Sequence, residues 1–513
     1  MKSVSYILPF ALMLGMASLV YAEGEEFEPT AKEELDKFYS TPQRSVTVTV
    51  YESKKLHTVP NEFLGINLSY FNTTDEIWEK YNLLSKLKKS GIRSLRYPGG
   101  EETSFFHWEH PGVNGYEDIW DPKEQHGVAL KRGKFQATWV APEQWDTNED
   151  FMNFDEFMQA CKELGAEPIV GINLTSGRRH NRIKDGIEEA LRWLRYCRKK
   201  GYKVTYWFLD NETWNWESPY VFKDLEYTED VIAYGTAIKK EFPNVKLIVN
   251  PTSNKGYNYK KGFEQFISKT ADVIDYIDVH WYWAWGQASF DHWIKQTPLD
   301  TGDKWKGPEI SRPFDEDISL IKESFKRAGA PHVGLVALEW NIAPSNWSQT
   351  FNQSLIAIIQ AELLMEFARG DVRLTCLWPL IWRTSRDVWS EQDFFPSIVT
   401  QDPPFEQTLS LDMFRLFSPV QGKTILASES SNKDLRVLVA ENKRGQKHLM
   451  FISKNALRRK ITINFDKKIR GKVSAEMIGL KHQVVRPQLI DNVEGNRVTF
   501  YAEPYSFTAI DIQ

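Results

Sequence analysis

Apolar and polar residues follow two different periods along the chain, and the change between them falls near residue 420. From residue 62 onward, short continuous apolar runs alternate with segments whose apolar residues recur at helical spacing. Eight of these runs have the length of a strand, and they lie at 63–71, 92–100, 167–175, 204–212, 245–253, 274–282, 333–341 and 372–380. Strands that are apolar throughout are typical of parallel sheets covered by helices.

This strand–helix repeat predicts an α/β protein with a (β/α)8 TIM barrel. Several segments between the strands, such as "IEEALRWLRYCRKKG" and "SLIAIIQAELLMEFARG", end in Gly after Lys or Arg, which is a helix-stop signal. A doubly wound open sheet is the alternative, but no Gly-rich phosphate loop follows the first strand. The count of eight strands therefore favours the barrel.

Beyond residue 422 the helical spacing disappears and apolar residues alternate with a period of two. Runs such as "DLRVLVAE", "HLMFISKN", "KITINFD", "RVTFYAE" and "SFTAIDIQ" are separated by polar turns, which predicts a C-terminal antiparallel β-sandwich. An early run, "RSVTVTVYE" at 44–52, alternates in the same way and is expected to complete this sandwich. The predicted domains are a signal peptide at 1–22, a linker and N-terminal strand at 23–52, a catalytic barrel at 53–420 and a sandwich at 421–513.

The first 22 residues have the composition of a secretory signal peptide. Lys2 precedes an apolar stretch from Tyr6 to Val20, and small-residue cleavage is expected after Ala22. The apolar stretch is shorter than a membrane-spanning helix. We therefore expect a secreted or periplasmic protein, with no membrane insertion after signal removal.

Composition narrows the function classes. Hydrophobic residues make up 42% of the chain, charged residues 26%, and the net charge is −5, so nothing global indicates nucleic acid or an anionic membrane as a partner. The aromatic content of 13%, with 19 tryptophans, suits stacking on sugar rings as well as core packing. The three cysteines, Cys161, Cys197 and Cys376, are too few for a disulfide framework and are expected to be buried thiols.

The candidate chemistry lies where the predicted barrel strands end, because barrel active sites form at the carboxyl ends of the strands. Glu212 ends the fourth strand and Glu339 ends the seventh. Glycoside hydrolysis requires such a carboxyl pair, one group to protonate the leaving oxygen and one to attack the sugar or activate water. Other polar and aromatic residues near strand ends are Arg96, Asn173, Asn211, His280, Trp281, Tyr282 and Trp378.

Three of these neighbours suit a site in which the two glutamates have different roles. Arg96 and Tyr282 are expected to hold Glu339 ionised and oriented, and Asn211 to hydrogen-bond a sugar 2-hydroxyl. Tryptophans 214, 216, 281, 283 and 285 are candidate sugar platforms, with core packing as the alternative. Acidic residues and histidines show no metal-ligand spacing, so no catalytic metal is inferred, while a structural Ca²⁺ ion stays open.

The stretches "YWFLDNETWNW" and "VALEWN" resemble the acid/base and nucleophile motifs of the retaining glycoside hydrolases of clan A. "LRYPGG", at the end of the second strand, resembles the arabinofuranosidases of family 51 and their relatives, whose β-sandwich likewise follows the barrel. The resemblance implies Glu212 as acid/base and Glu339 as nucleophile, in a double displacement that needs no cofactor. It also implies a surrounding shell of Arg96, Asn211, His280, Tyr282 and Trp378.

Departures from the family pattern concern the substrate. Asp210 replaces the glycine of the usual "GNE", and Glu101 and Glu102 occupy a stretch that is commonly neutral. Basic residues follow the third and eighth strands, at Arg178, Arg179, His180, Arg182, Arg383 and Arg386. Guanidinium groups bind sulfate and carboxylate bidentately, so this cluster indicates an anionic sugar, with solvated loop surface as the alternative.

We therefore predict a secreted retaining glycoside hydrolase that cleaves a poly- or oligosaccharide. The predicted substrate is a sulfated galactan such as porphyran or agar, or a uronic-acid glycan. A neutral α-L-arabinofuranosidase is the first alternative, followed by a non-catalytic glycan-binding barrel and by a transglycosylase that uses the same residues. The sugar, the linkage and endo or exo action stay open.

Overall fold

The computed structural model describes most of the chain beyond residue 44. The described residues are 45–70, 72–74, 77–78, 80–110, 118–121, 151–214, 220, 222–223, 225–251, 261–284, 288–295, 314–343, 352–381, 395–400 and 404–513. The predicted signal peptide at 1–22 and the linker that follows it lie outside the described residues.

The first strand, β1 (Val46–Thr58), belongs to the C-terminal sheet, and a parallel barrel follows it. The barrel strands are β2 (Leu64–Asn67), β3 (Ser94–Tyr97), β4 (Glu167–Ile172), β5 (Tyr206–Leu209), β6 (Lys246–Val249), β7 (Tyr276–Asp278), β8 (Trp281–Trp283), β9 (Gly334–Ile342) and β10 (Thr375–Leu377). β10 pairs in parallel with both β2 and β9, which closes the barrel. The TIM barrel predicted from the sequence is confirmed, and each of the eight predicted runs contains a barrel strand.

The predicted runs are longer than most of the observed strands, since their last residues leave the ladder and form the barrel mouth. The sixth run is interrupted between β7 and β8. Asp278 pairs with Val336 of β9, and Trp281 pairs with Trp340. The chain therefore advances three residues between β7 and β8 but four residues along β9, which leaves one extra residue in β9. Such a bulge re-aims side chains, and here it lies beside Glu339 and His280.

Helices connect the barrel strands and begin and end with recognisable signals. They are α1 (Leu83–Lys88), α2 (Phe154–Leu164), α3 (Thr175–Arg179), α4 (Ile183–Lys200), α5 (Glu226–Glu241), α6 (Lys261–Thr270), α7 (Phe290–Lys295), α8 (Phe314–Arg327), α9 (Gln353–Arg369) and α10 (Leu409–Phe417). Asn153 and Glu156 form a capping box at the start of α2. Gly165 and Gly201 end α2 and α4 with φ of 64° and 74°, as the sequence predicts for helix-stop glycines.

The C-terminal domain is one long sheet in which all neighbouring strands except one pair are antiparallel. Its later strands are β11 (Thr424–Ser430), β12 (Leu435–Glu441), β13 (Lys447–Ser453), β14 (Arg459–Asn464), β15 (Val473–Gly479), β16 (His482–Pro487), β17 (Ile490–Glu494), β18 (Arg497–Ala502) and β19 (Ser506–Ile512). β1 lies between them, antiparallel to β11 and parallel to β14. The alternating pattern predicts five of these nine later strands, namely β12, β13, β14, β18 and β19, and misses β11, β15 and the edge strands β16 and β17. In β16 and β17 no side chain is fully buried, so no hydrophobic alternation marks them.

The sheet folds over onto itself and so forms a sandwich. Phe451 of β13 and Phe500 of β18 are separated by four intervening strands, yet their ring centroids lie 5.3 Å apart. Both rings belong to a buried cluster that also contains Val48 of β1 and Ile461 of β14. The antiparallel β-sandwich predicted from the sequence is therefore confirmed.

Helix α9 joins the barrel to the sandwich. Nearly all of its side chains are buried because it packs against β9 on one side and against sandwich strands on the other. Its Glu362 forms an ion pair with Lys454, which follows β13, at 3.0 Å, and accepts the indole N–H of Trp293 at 2.6 Å. Both charged side chains are almost completely buried.

Two further findings concern membrane-spanning helices and the cysteines. No helix among the described residues is both long enough and apolar enough to span a membrane. Cys161, Cys197 and Cys376 are buried free thiols, and burial raises the pKa of Cys197 and of Cys376 to about 12.

Replacing Lys454 by methionine tests the ion pair between the barrel and the sandwich. The change leaves Glu362 buried without its cation, so we expect a loss of about 3–5 kcal/mol in the free energy of unfolding, measured by denaturant titration. The double variant Lys454→Met/Glu362→Gln removes both charges and should recover part of that loss. Lys468→Met, at an exposed position of the same domain, is the matched control and should change stability by less than about 0.5 kcal/mol. A loss no larger than that of the control would contradict this role.

Candidate active site

Glu339 lies in β9 at the carboxyl end of the barrel and is 6% exposed. Its Oε1 accepts a hydrogen bond from Arg96 Nη1 at 2.8 Å, and its Oε2 accepts one from the Tyr282 hydroxyl at 2.9 Å. The two donors, one of them charged, fix the orientation of the carboxylate. An oriented carboxylate of this kind is suited to act as a nucleophile.

Arg96, near the end of β3, is fully buried and is itself held by amide groups. Its Nη1 also donates to Asn67 Oδ1 at 2.8 Å, and its Nη2 donates to Asn211 Oδ1 at 2.6 Å. The guanidinium plane lies over the Phe208 ring, 4.3 Å from the centroid. Burial opposes the charge, but the neighbouring Glu339 and Asp278 raise the pKa of Arg96, so it stays a cation.

Glu212 follows β5 and faces the same space with a more accessible side chain, 19% exposed. Its backbone has a positive φ of 42°, and its N–H donates to Asn250 Oδ1 at 3.2 Å. Non-glycine residues with positive φ are uncommon and cluster at functional sites. The turn thus directs the Glu212 carboxyl group toward His280, whose Nδ1 lies 2.7 Å from Glu212 Oε1.

His280 lies in the break between β7 and β8 and contacts both candidate catalytic carboxyl groups. Its Nδ1 is 2.7 Å from Glu212 Oε1 and 3.3 Å from Glu339 Oε2, and its Nε2 is 3.0 Å from Asp278 Oδ2. Burial lowers the pKa of His280, but the charges of Glu339 and Asp278 and the hydrogen bonds to Asp278 and Glu212 outweigh it and raise the pKa to about 10. The ring is therefore an imidazolium at neutral pH.

The two glutamates stand close together. One carboxylate oxygen of each, with a ring nitrogen of His280, forms a group whose atoms all lie within 4.8 Å of one another. Retaining glycosidases have carboxyl groups about 5–5.5 Å apart and inverting ones roughly 6.5–9.5 Å apart, so this spacing fits retention. The same three side chains have the donor set of a cation site, but the imidazolium already supplies a positive charge between the carboxylates.

Gly100 and Trp378 form a wall beside Glu339. A Cβ atom at Gly100 would lie 2.6 Å from Glu339 Oε1 and 3.4 Å from the Trp378 ring, so the backbone approaches the carboxylate more closely than any larger residue allows. Trp378 is partly exposed. Its position next to the carboxylate suits it to contact a sugar ring.

Asp210, which replaces the glycine of the usual "GNE" motif, holds the loop before Glu212 through hydrogen bonds. Its φ of 66° suits glycine, and its carboxylate accepts the N–H groups of Leu174 and Thr175 at 2.8 and 2.6 Å and the Ser104 hydroxyl at 2.6 Å. These bonds tie the end of β5 to the start of α3. Asn173 is used inside this loop, since its amide exchanges two hydrogen bonds with Ser176.

The basic cluster predicted to bind an anionic sugar is already paired with carboxylates in the protein. Arg178 bonds to Asp230 through two nitrogens, and Arg179 pairs with Asp121 at 2.7 Å. His180 lies 2.8 Å from Asp118. A neighbouring cavity of about 300 Å³ is lined by acidic as well as basic residues. These contacts give no support to the anion pocket, because the guanidinium charges are compensated within the chain; Arg383 and Arg386 lie outside the described residues.

The tryptophans separate into core and site residues. Trp281, predicted to bind substrate, is 1% exposed and packs against Phe314 and Phe367, so it belongs to the core and that prediction is corrected. Trp283 is equally buried, whereas Trp214 is partly exposed and donates to Asn250 Oδ1 at 2.9 Å. Trp216 and Trp285 lie outside the described residues.

Asn67, Asn250 and Asp278 take part in the site although the sequence pattern does not predict them. Asn67 orients Arg96, Asn250 anchors the Glu212 turn, and Asp278 fixes His280. Asn67 and Asp278 end the observed strands β2 and β7, and Asn250 directly follows β6, but all three lie inside the longer runs predicted from the sequence. A rule that takes residues at the ends of the predicted runs therefore misses them.

Replacing Asp210 by glycine tests whether its carboxylate organises the site. Glycine relieves a left-handed conformation worth about 1 kcal/mol, but it removes the acceptor of three backbone N–H groups, those of Leu174, Thr175 and Asn211, at about 1–3 kcal/mol each. We expect a net loss of about 2–8 kcal/mol in the free energy of unfolding, measured by denaturant titration. Asp210→Asn keeps one acceptor oxygen and should lose less. A glycine variant as stable as the parent protein would contradict the assignment.

Comparisons with known proteins agree with this geometry. Residues 86–296 match the family model of the alpha-L-arabinofuranosidase 1 domain. The chain is 29% identical over 234 residues to the probable alpha-L-arabinofuranosidase C of Aspergillus fumigatus, a match that covers 41% of each protein. It is 23% identical over 409 residues to the intracellular exo-alpha-(1->5)-L-arabinofuranosidase of Acetivibrio thermocellus, covering 71% of this chain and 74% of that one.

The fold is that of solved family 51 structures. The GH51 arabinofuranosidase of Xanthomonas axonopodis pv. citri matches with a TM-score of 0.68 at 15% identity, covering 91% of this chain and all of the other. The GH51 alpha-L-arabinofuranosidase of Thermotoga petrophila matches with a TM-score of 0.69 at 18% identity and the same coverage. In the motifs at its strand ends, in the sequence of its barrel and in its fold, this chain resembles the family 51 arabinofuranosidases of glycoside hydrolase clan A.

Proposed function

We propose that the protein is a retaining glycoside hydrolase that cleaves α-L-arabinofuranosides. The observation that carries the proposal is the close carboxyl pair, with Glu339 held by Arg96 and Tyr282 and with Glu212 held by His280. The similarity to arabinofuranosidases over residues 86–296 supports the sugar. The match to the Aspergillus relative covers 41% of that protein. The proposed activity therefore rests on the carboxyl pair together with the similarity, and not on the similarity alone.

In the first step Glu339 attacks the anomeric carbon. A C–O bond forms between its carboxylate and the sugar while the glycosidic C–O bond breaks, and Glu212 gives its proton to the departing oxygen. Hydrogen bonds from Arg96 and Tyr282 keep the attacking carboxylate oriented. Asn211 has its carbonyl oxygen occupied by Arg96, which leaves its Nδ2 group to donate to the sugar 2-hydroxyl.

In the second step water hydrolyses the glycosyl ester. Glu212, now a carboxylate, takes a proton from the water molecule. The water oxygen bonds to the anomeric carbon while the bond between that carbon and Glu339 breaks. The His280 imidazolium stabilises whichever of the two carboxylates is charged, since it contacts both. Its bond to Asp278 fixes the ring so that Nδ1 faces the carboxyl pair.

A neutral sugar is favoured over the anionic one predicted from the arginine cluster. The described arginines of that cluster already form ion pairs with Asp118, Asp121, Asp185 and Asp230, and His180 lies 2.8 Å from Asp118, so these groups give no support to a sulfate or uronic-acid site. The relatives found by comparison carry arabinofuranosidase names. We therefore take the neutral α-L-arabinofuranoside as the substrate class.

Product release from a substrate panel tests the proposal. The panel contains an aryl α-L-arabinofuranoside and arabinan beside xylan, agarose, porphyran and a glucuronide glycan. We expect turnover of the arabinosides, a loss of roughly 10⁴-fold or more in Glu339→Gln and a loss of about 10²–10⁴-fold in Glu212→Gln. The loss of activity in Glu212→Gln should be smaller for an aryl arabinofuranoside whose phenol leaves without protonation than for arabinan.

Two outcomes would overturn parts of this proposal. The first product, followed by NMR, should keep the anomeric configuration of the substrate, and inversion would exclude the double displacement. Turnover of only the sulfated or uronic-acid members would exclude the neutral sugar. Glu494→Gln, an exposed carboxylate in β17, is the matched control and should retain full activity.

We also propose export of the protein through its N-terminal segment. The support is Lys2 followed by the apolar stretch from Tyr6 to Val20 and the small residue Ala22. Expression of the full chain in a secreting bacterial host should give an extracytoplasmic protein whose N-terminal sequence begins at Glu23. A protein that keeps its first 22 residues inside the cell would refute export.

A further inference from the structure

Glu102 is a buried carboxyl group next to the site that the proposed reaction does not use. It lies in the 3-10 turn Glu101–Ser104, directly after Gly100, and is 2% exposed. Its Oε1 accepts the Ser69 hydroxyl at 2.5 Å, while its Oε2 has no hydrogen-bond partner among the described residues. A buried carboxyl group with an unpartnered oxygen is more stable protonated than ionised.

Charges from two strands act on Glu102. Burial raises its pKa most, Glu339 of β9 raises it further, and the Ser69 hydroxyl, the Glu102 backbone N–H and Arg96 of β3 lower it. The result is a pKa of about 7 in place of the ordinary 4.5. The side chain therefore changes from neutral to charged in the neutral pH range.

Glu102 packs against the backbone that lines the nucleophile. A Cβ atom at Gly99 would lie 2.6 Å from Glu102 Oε2, and one at Gly100 would lie 2.6 Å from Glu339 Oε1. The carboxyl group of Glu102, the two glycines and the Glu339 carboxylate therefore form a continuous packed row. Any shift of Glu102 on ionisation is transmitted to the backbone beside Glu339.

Arg96 has one nitrogen that makes no hydrogen bond to the described residues. Its Nη1 and Nη2 are occupied, but its Nε has no hydrogen-bond partner among the described residues. A newly charged Glu102 is a second buried anion that needs a cation, and Arg96 is the cation that already acts on it. The guanidinium that orients Glu339 would then be shared between two carboxylates.

We propose that Glu102 is a positioning residue that acts on the nucleophile through Arg96 and the Gly99–Gly100 turn. Neutral Glu102 leaves Arg96 to Glu339, whereas ionised Glu102 draws Arg96 away and slows the attack of Glu339 on the sugar. The inference rests on the proposed function, because that attack is the step affected.

The pH dependence of kcat/KM tests the inference. The substrate is an aryl α-L-arabinofuranoside whose phenol leaves without protonation, so the titration of Glu212 as an acid drops out of kcat/KM. At pH 8 we expect the parent protein to fall about tenfold below its maximum, and Glu102→Gln to fall less than twofold. Glu494→Gln should follow the parent protein. The same decline in the parent protein and in Glu102→Gln would overturn the inference.

A second measurement needs no substrate. Because the folded-state pKa of Glu102 is raised, its neutral form contributes stability that is fully present below the unfolded pKa of about 4.5 and is lost as pH rises through about 7. Glu102→Gln does not lose this contribution. The ratio of the folding equilibrium constants of variant and parent should therefore rise roughly tenfold or more between pH 5 and pH 8, measured by denaturant titration.

The two measurements separate the two hypotheses. A parent protein that releases no arabinose from any arabinoside refutes the proposed function. A stability ratio that does not change with pH refutes the titration of Glu102, and with it the inference, whatever the substrate proves to be.

Discussion

The buried ion pair between Arg96 and Glu339 is the interaction on which the rest of the site depends. Two charges taken out of water cost several kcal/mol each unless geometry and further hydrogen bonds compensate for the lost hydration. Here the guanidinium also bonds to Asn67 and Asn211 and lies over Phe208, and the carboxylate also accepts the Tyr282 hydroxyl. Each of these neighbours is therefore required by the pair, and together they prevent Glu339 from rotating away from the sugar.

A second constraint follows from the first. Retention needs the carboxyl groups close together, but two carboxylates at that distance repel each other and raise each other's pKa. The His280 imidazolium removes this conflict because it lies against both, with Asp278 holding its far nitrogen. The break between β7 and β8 is the backbone feature that brings the ring there. Charge alternation, rather than any single residue, makes the short spacing stable.

The rest of the fold fixes the positions of the two glutamates. β9 carries Glu339 near one end, and α9, which packs on β9, carries the buried Glu362 that pairs with Lys454 of the sandwich. The sandwich thus fixes the helix behind the strand that bears Glu339. Asp210 does the same on the other side of the barrel, where it ties the turn before Glu212 to the start of α3. Buried polar bonds at both places limit how far the two glutamates can move apart.

The sequence by itself determined the barrel, the sandwich and the two glutamates, because hydrophobic period and strand-end position are local properties of the chain. The eight apolar runs and the change of period near residue 420 needed no knowledge of contacts. Strands β11, β15, β16 and β17 were not predicted; the two edge strands, β16 and β17, have no fully buried side chain and therefore carry no hydrophobic alternation. The tertiary structure alone decided which charges meet: it paired Arg178 and Arg179 with acidic residues and placed Trp281 in the core. It also placed Glu102 beside Gly99, within reach of the charges of Arg96 and Glu339. A side chain's charge partner and its dielectric surroundings depend on residues far away in the chain, so no local pattern encodes them.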